Sequence, residues 1–73
     1  MMMNKFNPKK LLNSKWSAVT VKNKEKHFIV TKVEFNEDDE ITHCIIEAIY
    51  SNNNYTINWE HLKDSNIWIL GWQ

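Results

Sequence analysis

His27-Phe28-Ile29-Val30-Thr31-Lys32-Val33-Glu34-Phe35, then Asn36-Glu37-Asp38-Asp39-Glu40, then Ile41-Thr42-His43-Cys44-Ile45-Ile46-Glu47-Ala48-Ile49-Tyr50: this stretch decides the fold. Both apolar arms are rich in β-branched and aromatic residues, and both alternate with the period of two that belongs to strands. In the first arm Ile29, Thr31, Val33 and Phe35 share one face, and Phe28, Val30, Lys32 and Glu34 share the other. In the second arm Cys44, Ile46, Ala48 and Tyr50 lie together, opposite His43, Ile45, Glu47 and Ile49. The five polar residues between the arms form a turn, so the whole reads as a long β-hairpin.

Working outward, Trp16 to Val21 is a short run of β-formers. Ser51-Asn52-Asn53-Asn54 is a tight turn, because asparagine tolerates positive φ and bonds its own backbone where glycine is missing. Tyr55 to Trp59 follows as a strand with Tyr55, Ile57 and Trp59 pointing inward. Glu60 to Asp64 breaks the alternation and predicts one helical turn. Ile67 to Trp72 then closes the chain, with Trp68, Leu70 and Trp72 on one face. A helix over 65–72, capped by Asp64 or Ser65, would instead put Trp68 and Trp72 at i and i+4; the run Ile67-Trp68-Ile69-Leu70 favours the strand. At the other end, Asn7-Pro8-Lys9-Lys10-Leu11-Leu12 has an N-cap residue followed by proline at the first helical position.

These elements predict an all-β domain: a small five-stranded SH3-like barrel, with a short N-terminal helical turn and a one-turn helix before the last strand. Residues 1–6 are expected to be disordered, and 7–73 to form a single small β-barrel domain. The expected core is Ile29, Val33, Cys44, Ile46, Ile57 and Trp59.

Seventy-three residues allow one domain. A chain of this size buries only about 60% of its unfolded surface, so it needs reinforcement. Cys44 is the only cysteine, so no disulfide supplies it, and a cytoplasmic location is the expectation. The first ten residues have lysines but no apolar run of the kind a signal peptide carries. No apolar stretch approaches the roughly 20 residues that span a bilayer, so no membrane association is expected. Aromatics are the remaining reinforcement: Trp16, Trp59, Trp68 and Trp72.

The catalytic repertoire is thin. His27, His43 and His61 show no metal-ligand spacing with each other or with Cys44. Cys44 sits mid-strand among isoleucines, where a thiol behaves as a small hydrophobe. Gly71 is the only glycine, which leaves no phosphate-cradling loop. We therefore expect no enzyme, no cofactor, no metal and no catalytic residue.

Charge is more telling. The net charge of zero hides a split: residues 1–32 hold eight lysines and one acid, and residues 33–73 hold one lysine and eight acids. Lys9, Lys10, Lys15, Lys22, Lys24 and Lys26 gather around the first strand. Lysines interleaved with aromatics can bind single-stranded nucleic acid through phosphates and base stacking. On that reading Lys15, Lys22, Lys24, Lys26 and Phe28 are the contacts, and the absence of arginine makes the binding sequence-tolerant. The competing reading is that the two halves complement each other in the fold.

The tryptophans divide in the same way. Trp59 continues an inward alternation, and Trp16 is expected to fill one end of the barrel. Trp68 and Trp72 read as core or as interface, and the sequence leaves both open. Exposed, clustered aromatics mark protein interfaces, which makes Trp68, Trp72 and Trp16 the candidate partner-binding residues.

Four segments together resemble a known family: Ser14-Lys15-Trp16-Ser17-Ala18-Val19, Lys26-His27-Phe28-Ile29-Val30-Thr31, Trp59-x-x-Leu62-x-Asp64 and Trp68-x-x-Gly71-Trp72. In that order they are similar to small bacterial tryptophan-rich proteins of unknown function, over roughly residues 8–73. The resemblance implies one compact bacterial domain that occurs as a stand-alone protein. It implies no reaction, cofactor or substrate. The functional expectation is a non-catalytic protein–protein interaction adaptor. The alternative is a sequence-tolerant single-stranded nucleic-acid or RNA-associated protein. The partner and the oligomeric state stay open.

Overall fold

The computed structural model describes residues 3–73; Met1 and Met2 lie outside the described residues. Five antiparallel strands form one sheet: β1 (Lys15–Lys22), β2 (Glu25–Phe35), β3 (Ile41–Ala48), β4 (Asn54–Ile57) and β5 (Trp68–Leu70). The strand order is β4-β3-β2-β1-β5. The all-β expectation is met, and 65–72 contains a strand rather than a helix. Barrel closure is not found, because β4 and β5 end the sheet without pairing to each other. The Cα framework measures 37 × 30 × 15 Å, and its thin dimension suits a curled sheet with one covering layer.

Two 3₁₀ turns cover the concave face. Pro8–Lys10 starts where Asn7 accepts the Lys9 N–H at 3.0 Å, as the N-cap and proline pattern predicts. Trp59–Lys63 starts in the same way, with Asn58 accepting the Glu60 N–H at 3.1 Å, and it buries Leu62. The core between these turns and the sheet holds Leu11, Trp16, Phe28, Val30, Cys44, Ile46, Ala48, Leu62 and Trp68. Val33, Ile57 and Trp59 pack partly against it.

Ile29 is not in the core, and the reason is a bulge. Val30 pairs with Ile46, but Lys32 pairs with Ile45 and Val33 with Cys44, so Thr31 is an extra residue on β2. The phase of the strand flips there. Before the bulge Phe28 and Val30 face inward; after it Val33 does, three residues on from Val30. An unbroken strand cannot place residues three apart on one face.

Of residues 1–6, expected to be disordered, Met1 and Met2 lie outside the described residues, and the rest lie against the second 3₁₀ turn, β5 and the core. Met3 bridges to Asp64, and the Asn4 N–H bonds to the Lys63 carbonyl at 2.9 Å. The Asn4 side-chain amide donates to the carbonyls of Leu62, at 2.9 Å, and Trp68, at 2.7 Å. Phe6 meets Trp16 edge-on, with ring centres 5.3 Å apart, and Trp59 at 6.3 Å.

Candidate functional site: a groove between the sheet edges

The curl of the sheet brings its two ends over the same central residue. Phe28 on β2 lies edge-on to Trp68 at 5.1 Å and to Tyr55 on β4 at 6.3 Å. Between these two ends the concave face is open, and a groove of about 510 Å³ remains. Its composition shows how it is built. On β1, Ala18 joins Phe28 and Ile46 as the floor, and the exposed Thr20 and Lys22 continue to the rim. Consecutive residues Tyr55, Thr56 and Ile57 form one wall, and Asn66, Ile67 and Trp68 the other. Successive residues of a strand face opposite ways, so only the edge of β4 can present three in a row.

The two edges differ. The β5 edge is blunted, because Asn4 bonds the Trp68 carbonyl and the Gln73 side chain bonds the Leu70 carbonyl at 3.4 Å. Among the described residues no strand lies beside β4 on the side away from β3, so that edge remains a template for pairing.

One end of the groove holds a carboxylate. Glu25 is only 6% exposed. It accepts bonds from the Ser51 hydroxyl, from Asn53 Nδ2 at 3.0 Å and from the Tyr55 hydroxyl at 2.6 Å. The Ser51 bond, then that of Tyr55, outweighs burial and, with the Asn53 bond, holds the carboxyl below its ordinary range. The same Tyr55–Glu25 bond raises the phenol. Sequence reasoning missed both residues. The available signal was that Glu25 is the only acid among eight lysines in residues 1–32.

The structure separates the expected aromatic partner site. Trp16 has no exposed surface, and its indole donates to the Ser14 hydroxyl at 2.8 Å, so it offers a partner nothing. Trp68 is largely buried but lines the groove. Trp72 is 43% exposed and sits on the opposite side of the sheet from Trp16. There its indole donates to the Phe28 carbonyl at 2.9 Å, Lys15 rides over its ring at 4.8 Å, and His27 lies 6.0 Å away. Of the two readings left open for Trp72, core or interface, the core is excluded: it packs on the outer face. Gly71, at φ +87°, makes the turn that sends it there.

The proposed nucleic-acid contacts also scatter. Phe28 is buried, so it is no stacking platform. Lys22 lines the groove, Lys15 lies on Trp72, and Lys24 and Lys26 border a separate recess of about 350 Å³ with His27, Ile49 and Tyr50. Lys9 is across the molecule, 3.9 Å from Asp39 in the turn beyond β2.

The polar chemistry does not converge. His43 lies 3.4 Å from Glu34, and His27 bonds the Gln73 carbonyl at 2.9 Å. Among the described residues no three of His, Cys, Asp and Glu stand close enough to hold a metal ion. Burial pushes the Cys44 thiol up to about 11, far from a reactive thiolate. No helix among the described residues is long and apolar enough to cross a membrane.

No curated protein and no solved structure matches the chain. A family model described as tryptophan-rich protein (DUF2389) matches residues 14–73, which takes in β1 to β5, the second 3₁₀ turn and every residue lining the groove. The chain therefore belongs to this tryptophan-rich protein family.

Proposed function

We propose that the protein is a non-catalytic binding module that takes an extended segment of another protein along the free edge of β4. The observation that carries this is the groove itself: an apolar floor of Ala18, Phe28 and Ile46 between two walls, one of which is an unpaired strand edge. Its volume, about 510 Å³, falls within the range of about 300–1,000 Å³ that ligand sites occupy. Strand addition at a sheet edge supplies main-chain hydrogen bonds, and alternate side chains then reach the floor. The four residues of β4 offer about 13 Å of edge, at roughly 3.3 Å per residue. That is room for a segment of about four residues.

Both sheet ends meet over Phe28, which supports reading the sheet as an SH3-like barrel left open along one seam. The single free cysteine supports a cytoplasmic setting. A second reading, sequence-tolerant binding of single-stranded nucleic acid, is supported by the cluster of Lys24, Lys26, His27 and the exposed Tyr50 around the recess.

The test is selection of random decapeptides displayed on phage, followed by affinity measurement on the parent and on Ile67→Asp. Ile67 is 42% exposed on the groove wall, so the substitution leaves the thermal midpoint within a few degrees. Selected peptides should bind the variant about tenfold more weakly, a loss of roughly 1.4 kcal/mol. Peptides that bind both proteins equally would remove the groove as the site. Single-stranded RNA that binds the parent and loses affinity on replacing Lys24 and Lys26, with no groove-dependent peptide found, would replace this reading with the second.

A further inference from the structure

Glu25 gives the groove a preference that its apolar floor does not. It is the only charged side chain buried among the described residues, and the only acid lining the groove. Among the described residues every donor that reaches it is neutral: Ser51, Asn53 and Tyr55. No lysine or histidine pairs with it among the described residues. Lys22 stands opposite Glu25 across the β1–β2 ladder and lines the same groove, yet it makes no ion pair with it. An ionised carboxylate offers about four acceptor positions, and three are filled. The three bonds hold the charge in place, and the remaining acceptor position is left for a cation that enters the groove.

We infer that the groove selects segments carrying a lysine, whose ammonium takes the remaining acceptor position of Glu25 while neighbouring apolar side chains lie over Phe28, Ile46 and Trp68. This rests on the groove being a peptide site. One open position suits the single-point contact of an ammonium better than the two parallel bonds of a guanidinium. The placement also fixes polarity along the groove. Glu25 accepts the Tyr55 hydroxyl near the start of β4, with Ile57 two residues further along that edge, so the lysine lies at one end of the bound segment rather than its middle. Lys22 on the same rim repels the incoming ammonium, so it opposes binding and sharpens the demand for direct contact with Glu25.

The decapeptides selected against the groove provide the test. They should share a lysine at one end of an apolar stretch. Replacing that lysine by norleucine, which keeps the stem and removes the charge, should weaken binding to the parent protein by about tenfold or more. On Glu25→Gln the lysine and norleucine forms should bind within about twofold of each other, and Lys22→Gln should tighten the lysine form. The norleucine comparison uses the parent protein, so it stands even where Glu25→Gln fails to fold. Selected peptides without a common lysine, or a norleucine form that binds as well, would overturn the inference and leave the groove standing. Failure of any peptide to depend on Ile67 would remove the groove and the inference together.

Discussion

At Glu25 a negative charge leaves bulk water on folding, and three neutral donors hold it. The consequences run in two directions of pH. The carboxyl is lowered from its ordinary value of 4.5, chiefly by the Ser51 and Tyr55 bonds, so the stability it contributes is present above that value and lost as pH falls through the folded one. The Tyr55 phenol is raised from 10.0 by the same carboxylate, so its contribution is present below that value and lost as pH rises through the folded one. Urea midpoints of the parent should therefore form a plateau that falls at both ends. Other carboxylates also titrate on the acid side, so the informative quantity is the difference between variants. Glu25→Gln should flatten both limbs relative to the parent, and Tyr55→Phe should remove the alkaline fall assigned to Tyr55. Parallel profiles for all three proteins would mean that the cluster is not formed in solution.

Turns at the element scale show how a chain with one glycine bends its backbone. Positive φ falls on Asn13, Asn23, Lys24, Asp39 and Asn52 as well as on Gly71. Asn23 and Lys24, at φ 54° and 63°, join β1 to β2, a left-handed pair of the type I′ kind. Asparagine suits the first position; lysine is strained at the second, by about 1–2 kcal/mol. Lys24→Gly should stabilise the domain by about 0.5–1 kcal/mol after the entropy that glycine adds to the unfolded chain, read as a higher urea midpoint at unchanged slope. A lower midpoint would mean that the Lys24 side chain contributes more than its backbone strain removes.

The hairpin of β2 and β3, the first capped 3₁₀ turn and the asparagine turn before β4 were legible, because alternation and capping are local; the second 3₁₀ turn showed only as a break in alternation, and it starts at Trp59, inside the expected strand. The inward face of early β2 was not. The bulge at Thr31 has no local signature, and it moved Phe28 and Val30 inside in place of Ile29. The groove was illegible for a related reason: its walls come from strand edges that only the strand order exposes. The tryptophans were half legible. Trp59 does pack against the core, but from the second 3₁₀ turn rather than from the strand expected to carry it, and nothing local showed that Gly71 turns Trp72 onto the opposite face from Trp16.

At the scale of the whole molecule, stability depends on how a thin, open sheet is held to its covering layer. Total stability for this length is about 4–11 kcal/mol, at 0.05–0.15 per residue. Against that, the N-terminal arm matters. Asn4 links the second 3₁₀ turn to β5 through the Leu62 and Trp68 carbonyls, and Phe6 wedges between Trp16 and Trp59. Asn4→Ala leaves those two carbonyls without their side-chain donor and should cost about 1–3 kcal/mol. Phe6→Ala removes a half-buried ring and should cost about 2 kcal/mol, below the range for a fully buried one. Both residues hold the same arm down, so the double variant should lose less than the sum of the single losses. Urea denaturation followed by tryptophan fluorescence reads all three. Losses under about 0.5 kcal/mol for each single variant would show that the sheet holds its covering layer without the arm. Strict additivity would show that Asn4 and Phe6 act separately, Asn4 as a cover for the β5 edge and Phe6 as part of the aromatic core.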